Sequence, residues 1–519
     1  DHSVFMLLSE SLLVENGKYG MINMQSWMFL SSFERLREHV IKSLHIDNML
    51  HLGPRTFDEL SGEVVQNTAF VVTNHSPESS DGGVYYRLVE GKNCTEKSDL
   101  FLSHIHGNED GNRIYFPNIE QKNFEKIPGC PIGYWVSLKL VEKFSSTLKM
   151  DYYYDVKSGL STGNNDIFTH HWHEVSLSKL CLAYSEHKED REGYKWIPYS
   201  KGGGVRKWYG NNLLVVNWKN EGTAMRELGL AVFRNESFYF KEGITWSGMS
   251  STFVSYRLVP AGFIFDSNKG PMIFSKMAKP SLKYAIGFLN TKVSNVITTI
   301  LNPTLSTQIG DIVKIPLDIE NDKIKNTERL ATECVGVSKQ DWDAHETSWD
   351  FQCNELLSID SDTYIDNINY EIEKHFEETG EHICIDPATP QLDSLEWRME
   401  QYKTKWERNF MQLHKNEEEL NRQFIDIYGL QDELTPDVPF NEITILQQGE
   451  ISIKNNAIVW NDDVIIKQLI SYAVGCWMGR YRLDKPGLNI AYYPDDKEIC
   501  LYKYNGKSFT IDDDGIIPL

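Results

Sequence analysis

The first 75 residues alternate between patterns typical of helices and of strands. Apolar side chains recur at Phe29, Phe33, Leu36 and Val40, and this spacing predicts an amphipathic helix over 29–43. A second helix is predicted over 4–14, and short apolar runs predict strands over 19–24, 46–52 and 67–73. We expect the last two strands to form a hairpin at the edge of a parallel α/β sheet.

The strand over 19–24 and the helix after it form a unit that belongs in a parallel sheet with strands on both sides. Only sixteen residues precede Gly17, where this unit begins. We therefore expect the remaining strands of the sheet to lie upstream of residue 1.

The clearest single pattern lies between Ser394 and Tyr428. Apolar residues there follow alternating spacings of three and four, which predicts one helix about 50 Å long. The stripe is formed by Leu395, Met399, Tyr402, Trp406, Phe410, Leu413, Leu420, Phe424 and Ile427. Glu417 breaks it once, Asp393 and Glu396 predict the N-terminal cap, and Gly429 predicts the end of the helix. Such a helix is typical of a rigid spacer.

The remaining segments are less regular. Residues 191–316 carry short strand patterns separated by glycine and asparagine, and an apolar helix is predicted over 284–300. The tail contains ISIKNNAIVWNDD, which predicts strand, turn and strand. The apolar stretch VIIKQLISYAVGCWMGRY then predicts a helix that ends near Gly479.

Composition and charge narrow the class of protein. The 519 residues are 41% hydrophobic and 24% charged, which is typical of globular domains. No apolar run is long enough for a membrane span and no secretion signal is visible, so we expect a cytoplasmic protein. Eight cysteines without a CxxC pair predict neither a zinc ribbon nor a disulfide framework.

The net charge of −22 is unevenly distributed. Residues 191–316 hold 16 basic against 7 acidic side chains, whereas residues 317–440 hold 11 against 30. A basic segment beside an acidic one is expected when one part binds nucleic acid or another polyanion. Uneven solubilising charge is the alternative explanation.

The basic segment supplies the candidate contacts to DNA. In KWIPYSKGGGVRKWYG, cations and aromatic side chains flank a glycine turn, a combination that suits phosphate contacts and stacking. No GK[ST] follows the glycines, so this is not a nucleotide phosphate loop. The candidates are Lys195, Trp196, Lys201, Arg206, Lys207, Trp208, Tyr209, Trp246, Arg257 and Lys269.

Other chemistry is weakly supported. His170, His171 and His173 cluster, but their spacing does not match a helical zinc motif and no cysteine is near, so no metal is expected. A nucleophile elbow is absent. NPTL at 302–305 lacks the second proline and the aromatic residue of the loop by which amino-methyltransferases hold a flipped base.

Several blocks of sequence together carry a resemblance. ENGKYGMINMQSWMFLSSFERLRE and MLHLGPRTFDELSGEVVQNTAFVVTN resemble the strand, helix and closing hairpin that follow the catalytic loop of adenine-specific DNA methyltransferases. Four further blocks make the resemblance more specific, namely GLSTGNNDIFTHHWHEV, KWIPYSKGGGVRKWYG, LISYAVGCWMGRYRLDKPGL and DDDGIIPL. With these blocks, essentially the whole chain resembles the adenine-specific methyltransferases of BREX phage-defence systems.

The resemblance implies a multidomain chain of α/β and α+β class. Residues 1–75 are expected to be the C-terminal half of a Rossmann-like catalytic domain, 76–190 a connecting α/β region and 191–330 a target-recognition domain of mixed β structure with a closing helix. Residues 331–448 are expected to form an acidic, helical spacer region, and 449–519 a C-terminal region. Similarity to type I restriction specificity subunits implies that Ser306, Thr307 and Gln308 lie in a turn near DNA.

The same resemblance implies a function with part of its machinery missing. The expected reaction is transfer of a methyl group from S-adenosylmethionine to the exocyclic amine of adenine in double-stranded DNA. This chain has neither the glycine-rich cofactor motif nor the catalytic Pro-Pro-aromatic loop, so both sites are expected upstream. Where some family members carry an aromatic residue that stacks on the flipped base, this chain has Val64 and Val65, and Phe57 is the substitute candidate.

The expected partners are double-stranded DNA, the upstream half of the methyltransferase, other BREX proteins and an acidic DNA-mimic inhibitor, with no membrane. Two alternatives stay open, namely a stand-alone DNA specificity subunit and a protein-binding scaffold without enzymatic activity.

Overall fold

The computed structural model describes the chain except for residues 1, 58–64, 79–80, 108–113, 248–252, 304–305, 384–393, 490–500, 505–506 and 511–519. The chain divides into two compact units. Unit 1 comprises Asp1–Tyr152, Val293–Ile319 and Asp426–Glu433, and unit 2 comprises Tyr153–Lys292, Glu320–Ile425 and Leu434–Leu519.

The strands and helices have the following bounds. The strands are β1 (Lys18–Met24), β2 (His45–Gly53), β3 (Asn67–Thr73), β4 (Gly82–Arg87), β5 (Tyr115–Glu120), β6 (Tyr154–Lys157), β7 (Thr169–His171), β8 (Trp196–Ser200), β9 (Leu214–Asn217), β10 (Gly243–Trp246), β11 (Tyr256–Val259), β12 (Ile264–Phe265), β13 (Met272–Ser275), β14 (Ile451–Lys454), β15 (Ala457–Trp460), β16 (Leu501–Tyr504) and β17 (Lys507–Thr510). The helices are α1 (His2–Ser11), α2 (Glu34–Ser43), α3 (Cys94–Ile105), α4 (Leu138–Ser146), α5 (Met150–Tyr153), α6 (Asn165–Phe168), α7 (Lys219–Leu228), α8 (Leu282–Leu289), α9 (Lys292–Leu301), α10 (Ile309–Ile312), α11 (Ile324–Asp343), α12 (Ser361–Thr379), α13 (Leu395–Tyr428) and α14 (Asp462–Trp477).

Unit 1 contains a five-stranded mixed sheet with the strand order β1-β3-β2-β4-β5. β3 is antiparallel to both β1 and β2, β2 and β4 are parallel, and β5 is antiparallel to β4. β1, β2 and β4 therefore run in the same direction, and their carboxyl ends lie at one edge of the sheet beside the start of β3. The described structure is a mixed α/β fold with several small sheets.

The structure corrects the predicted position of the hairpin. β2 and β3 pair as predicted, but β3 also pairs with β1 and β2 also pairs with β4. The hairpin is therefore inside the sheet and not at its edge. Both strands are hydrogen-bonded on both sides, and one face of the pair is closed: Thr68, Phe70 and Val72, which alternate along β3, are all inaccessible, whereas Ala69 and Val71 on its other face are half-buried.

Apolar packing between α2 and the sheet stabilises unit 1. Val40 and Ile41 on α2 belong to the same buried cluster as Ile46, Met49 and Phe70 on the strands. Burying side chains of this size contributes about 1.5–3 kcal/mol each. The predicted helical stripe over 29–43 is thus confirmed as a packing face, although the helix itself begins at Glu34.

Unit 2 contains two four-stranded sheets. Their strand orders are β11-β10-β13-β6 and β12-β8-β9-β7. A large aromatic core lies with them and includes Trp172, Trp196, Tyr199, Trp218, Phe263, Phe265 and Trp349. β8 is buried at every position, so its two ends are fixed relative to the core.

The long helix α13 is confirmed over Leu395–Tyr428. Ser394 caps its start, since the Ser394 hydroxyl oxygen accepts from the Trp397 amide at 3.1 Å, and Gly429 ends it with φ 69°. Asp393, which was predicted to cap the helix, lies outside the described residues. Phe424 packs against Phe288 of α8, with ring centroids 5.0 Å apart. The stripe is therefore a packing surface.

The single helix predicted over 284–300 is wrong, because two helices, α8 and α9, cover this range. Asn290 interrupts them. Its side chain accepts from the Tyr256 amide at 3.0 Å and donates to the Tyr256 carbonyl at 3.1 Å. Asparagine side chains that bond the main chain in this way compete with helix continuation.

The tail forms the predicted elements. β14 and β15 pair as a hairpin through Asn455 and Asn456, both with positive φ, as a tight turn of this type requires. α14 follows, and Gly479 lies just after its end with φ 75°. Among the helices of the described residues, none combines the length and apolarity needed to cross a bilayer.

Candidate nucleic-acid interface

Most of the predicted cation and aromatic contacts are buried in unit 2. The buried candidates are Trp196, Arg206, Lys207, Trp208, Tyr209, Trp246 and Arg257. Their side chains face the protein interior in the described structure, and direct contact of these residues with DNA stays a prediction. Each of the three cations instead makes hydrogen bonds within the protein.

Arg206 and Lys207 are held by acidic residues of α11 and α13. The Arg206 guanidinium donates to Asp341 Oδ2 at 2.7 Å, and Lys207 Nζ donates to Glu417 Oε2 at 2.6 Å. Trp208 Nε1 donates to the other Glu417 oxygen at 2.7 Å. Glu417, which interrupts the apolar stripe of α13, is thus the buried acceptor for two neighbouring side chains.

Arg257 has no carboxylate partner among the described residues. Its guanidinium donates to the carbonyls of Arg206 and Gly202 at 3.2 and 3.1 Å and to the Ser247 hydroxyl at 3.2 Å. Burial, with the charge of Arg206 nearby, lowers the pKa of Arg257 to about 10. Arg257 therefore remains a cation at neutral pH. Its hydrogen bond holds the Gly202 carbonyl from the buried side of the loop.

The exposed part of this region is a glycine loop flanked by two lysines. Gly203, Gly204 and Val205 are exposed, and within the described structure their N–H groups donate no hydrogen bond. Gly202 has φ 65°, and a Cβ on it would lie 2.4 Å from the Lys269 carbonyl oxygen. The loop therefore lies directly against the turn that carries Lys269.

The second lysine turn is ordered by Asp266. Its carboxylate accepts from the amides of Asn268 and Lys269 at 2.8 and 2.7 Å and from the Tyr199 hydroxyl at 2.8 Å. Lys201 follows the end of β8 and is half-buried, with Nζ 5.8 Å from the centre of the Tyr199 ring. Lys201, the glycine loop and Lys269 form one surface, which we call the lysine-glycine rim; it comprises residues 201–205 and 268–269.

The remaining candidates lie elsewhere. Lys195 is at the opposite end of β8, with Nζ 4.6 Å from the Trp196 ring centre, so the structure does not bring it to the rim. Ser306, Thr307 and Gln308 belong to unit 1. Gln308 caps α10 through Asp311, whose carboxylate accepts from its amide at 2.8 Å, while Thr307 is buried. These residues stay predictions.

Phe57 is exposed and lies four residues after the end of β2. Residues 58–64, including Val64, lie outside the described residues. A role for Phe57 in base flipping therefore stays a prediction.

A polar network at the carboxyl edge of the five-stranded sheet was not predicted. The Tyr134 hydroxyl donates to His51 Nδ1 at 3.0 Å, and His51 Nε2 donates to Gln25 Oε1 at 2.7 Å. Gln25 in turn donates to Gln66. Burial lowers the pKa of His51 to about 3, so the ring is neutral. The signal in the sequence was a glutamine directly beside each of two strands.

The main chain of the THHWHEV segment is ordered by Glu174. Glu174 accepts from the His171 amide at 2.8 Å and closes a short capping box. Among the described residues there is no cluster of three metal-ligating side chains.

Comparison with known proteins finds relatives of one class. No family model matches the chain. Two curated proteins do, and both are adenine-specific methyltransferases.

The particular relatives are PglX and BrxX. The chain is 37% identical over 511 residues to PglX of Lacticaseibacillus casei (strain Zhang), a match that covers 96% of this chain and 38% of that protein. It is 33% identical over 525 residues to BrxX of Escherichia coli O9:H4 (strain HS), covering 100% and 39%. The chain thus spans less than two fifths of either relative. These matches confirm the resemblance found in the sequence.

Two solved structures are similar to a lower degree. The type IIL restriction-modification enzyme MmeI in complex with DNA matches with a TM-score of 0.40 and 10% identity, over 78% of this chain and 52% of that one. The type ISP enzyme LlaBIII bound to DNA matches with a TM-score of 0.34 and 12% identity, over 64% and 26%. These scores are too low to support a conclusion about fold or function.

Proposed function

We propose that this chain is the DNA-recognition part of a site-specific adenine DNA methyltransferase of a BREX phage-defence system. The complete enzyme transfers a methyl group from S-adenosylmethionine to the exocyclic amine of adenine in double-stranded DNA. Its relatives PglX and BrxX, both adenine-specific methyltransferases, support this proposal. The observation that carries the DNA contact is the lysine-glycine rim.

The rim suits a phosphate backbone for three reasons. Lys201 and Lys269 supply two positive charges, and neither forms an ion pair with a described residue. Gly203, Gly204 and Val205 present main-chain N–H groups that can donate to phosphate oxygens. The glycines leave no side chain between this main chain and an approaching strand.

The buried cations give the rim its shape. Arg257 bonds the Gly202 carbonyl, and the Ser247 hydroxyl donates to the Gly203 carbonyl at 2.9 Å. A loop that is held by hydrogen bonds from buried side chains loses less conformational entropy on binding than a mobile loop. Arg206, Lys207 and Arg257 thus support recognition indirectly, as positioning residues.

The test is a double substitution on the rim. DNA binding by the purified chain is measured by fluorescence anisotropy on a duplex of mixed sequence at several salt concentrations. Each phosphate contact contributes about −0.9 to the slope of log K against log salt. We expect Lys201→Ala with Lys269→Ala to weaken binding and to reduce the magnitude of the slope by about two.

The matched control is Lys454→Ala with Lys467→Ala, which removes two exposed lysines of the same unit from outside the rim. Its slope is expected to equal that of the parent chain. An unchanged slope in the rim variant, or an equal loss in both variants, would exclude the rim as the DNA contact.

No residue of this chain is proposed to hold the cofactor. The sequence has no glycine-rich cofactor motif and no Pro-Pro-aromatic loop, so no group here is assigned to S-adenosylmethionine or to methyl transfer. The proposed location of both sites is an upstream half of the methyltransferase, of which residues 1–75 form the C-terminal continuation.

An apolar surface on unit 1 supports such a partner. α1 exposes Val4, Phe5 and Leu8, and β1, at one edge of the sheet, exposes Ile22 and Met24. Exposed apolar side chains on neighbouring elements mark interaction surfaces. We call the exposed apolar residues of α1 and β1 the α1–β1 face and propose that the upstream half covers it.

Other proposed partners follow from the same function. Proteins of the BREX system would bind elsewhere on the enzyme, and an acidic protein that mimics DNA would compete for the rim through its carboxylates. A stand-alone specificity subunit is the second candidate. An intact-mass measurement and a methylation assay distinguish the methyltransferase from the specificity subunit. A protein of 59.9 kDa that binds DNA without transferring a methyl group would favour the specificity subunit.

A further inference from the structure

A cavity in unit 2 lies apart from the lysine-glycine rim and has a volume of about 540 Å³. This size falls within the range of small-molecule sites. Its aromatic lining includes Trp218, Tyr239 and Phe240, all buried, and Tyr194, which is exposed at the rim of the cavity. None of these residues takes part in the DNA contact proposed above.

The main chain around the cavity is strained. Asn220, Glu221 and Gly222 have φ values of 51°, 58° and 76°, so the first turn of α7 is left-handed. Phe240 has φ 71°, and a bulky aromatic residue rarely adopts that conformation. Backbone conformations of this kind are concentrated at functional sites.

Cations already occupy the aromatic faces. The Arg191 guanidinium carbon lies 3.5 Å from the centre of the Phe240 ring, and its Nη1 donates to the His187 carbonyl at 2.8 Å. The Arg226 guanidinium carbon lies 3.8 Å from the Phe233 ring centre. A cationic ligand is therefore disfavoured at Phe240, whereas a planar ring can stack on the half-buried Arg191 guanidinium or on Tyr194.

Among the polar side chains that line the cavity, two form no ion pair with a described residue. Lys188 pairs with Glu221, and Arg226 pairs with Glu236. Glu192 and Lys219 form no ion pair with any described residue. A carboxylate and an ammonium group thus lie beside a space lined by aromatic rings.

We propose that this cavity binds a single nucleotide. The base stacks on Tyr194 and the Arg191 guanidinium, Glu192 accepts from donor groups on the base edge, and Lys219 pairs with the phosphate. Guanine presents N1–H and N2–H side by side, which matches the two oxygens of a carboxylate. Thymine presents one donor between two acceptors and matches it poorly.

The nucleotide can be free or part of a single strand, since both present the same chemistry. Binding to the full chain is measured by isothermal titration calorimetry with dGMP, dCMP, dAMP, dTMP and a short single-stranded oligonucleotide. We expect dGMP to bind most tightly and dTMP at least about fivefold more weakly. If free nucleotides do not bind but the oligonucleotide does, with the same response to the variants, the ligand is a strand.

The variants separate this site from the packing around it. Tyr194→Ala and Lys219→Ala are expected to weaken dGMP binding at least about fivefold, and Glu192→Gln to remove the preference for dGMP over dTMP. Tyr152→Ala, which removes an exposed tyrosine of unit 1, is the matched control. Thermal unfolding of each variant confirms that the fold is retained.

Two outcomes would overturn the proposal: no binding of any nucleotide or oligonucleotide, or binding that the three cavity variants leave unchanged. The rim variant Lys201→Ala with Lys269→Ala is expected to bind dGMP as the parent does. Failure of the nucleotide site and failure of the proposed DNA contact are therefore distinguishable.

Discussion

At the scale of single residues, burial changes the meaning of a charge. Lys207 and Glu417 are both almost inaccessible, and Glu417 also accepts from Trp208 Nε1. A buried ion pair contributes little net stability compared with apolar packing, but removing one partner leaves a buried charge without compensation. The chemistry of Glu417 is therefore structural.

We expect Glu417→Gln to destabilise the chain by about 3–5 kcal/mol, since Lys207 would remain buried and unpaired. The measurement is urea unfolding followed by circular dichroism. Glu419→Gln is the matched control on the same helix, because the exposed pair of Glu419 with Arg422 contributes at most about 1 kcal/mol. A loss below 1 kcal/mol for Glu417→Gln would contradict the assignment.

At the scale of elements, polar side chains join segments that are distant in the sequence. His345, just after α11, contacts Glu450 beside β14, and Gln468 of α14 donates to the same carboxylate at 2.7 Å. Glu450 also accepts from the Gln448 amide at 2.9 Å. One buried carboxylate therefore connects two helices and the start of a hairpin.

This connection predicts a dependence of stability on pH. Burial opposes the charge on His345, but Glu450 and Asp341 outweigh it and raise the pKa of His345 above 6.5. The stabilisation from a raised histidine pKa is complete below the unfolded value of 6.5 and is lost as pH rises through the folded value. We expect the urea midpoint to fall as the pH rises above 6.5.

His345→Gln is the matched variant for this prediction. Its urea midpoint is expected to be lower than that of the parent at pH 6 and to change less as the pH rises above 6.5. Glu450 has a lowered pKa, through its hydrogen bond with His345, so its own contribution is lost only as pH falls below 4.5. Parallel profiles for the two proteins would refute the role of His345.

At the scale of the whole molecule, the uneven distribution of charge along the chain has two consequences: ion pairs within the protein and cations on its surface. Part of the acidic segment neutralises the basic one from within, since Asp341 and Glu417 hold Arg206 and Lys207. Arg206, Lys207 and Arg257 are therefore not exposed to an external polyanion, whereas Lys269 of the lysine-glycine rim is. The net charge of 191–316 therefore overstates the surface available to DNA.

The α1–β1 face predicts the behaviour of the isolated chain. We expect the chain to self-associate, because exposed apolar side chains on α1 and β1 bury themselves against another copy when no partner covers them. Leu7→Lys with Leu8→Lys, at two exposed leucines of α1, is expected to shift sedimentation toward the monomer. Leu228→Lys with Leu230→Lys, at exposed leucines of unit 2, is the control that should leave association unchanged.

Much of the local structure was predictable from the sequence. The strand over Asn67–Thr73, the long helix α13 and the hairpin at Asn455–Asn456 each follow from periodicity or turn chemistry within a few residues. The candidate site was only partly predictable. The glycine loop with Lys201 and Lys269 was identified, whereas the burial of Arg206 and Lys207 was not.

The sequence by itself determined the elements and the family resemblance, because hydrophobic period, capping residues and motif blocks are local properties of the chain. Only the tertiary structure decided the order of the strands and the exposure of each cation. Arg206 pairs with Asp341, which is 135 residues away in the sequence, and Lys207 pairs with Glu417, which is 210 residues away. Ion pairs between residues so far apart in the sequence depend on how the helices and strands pack against one another. The local sequence pattern does not specify that packing.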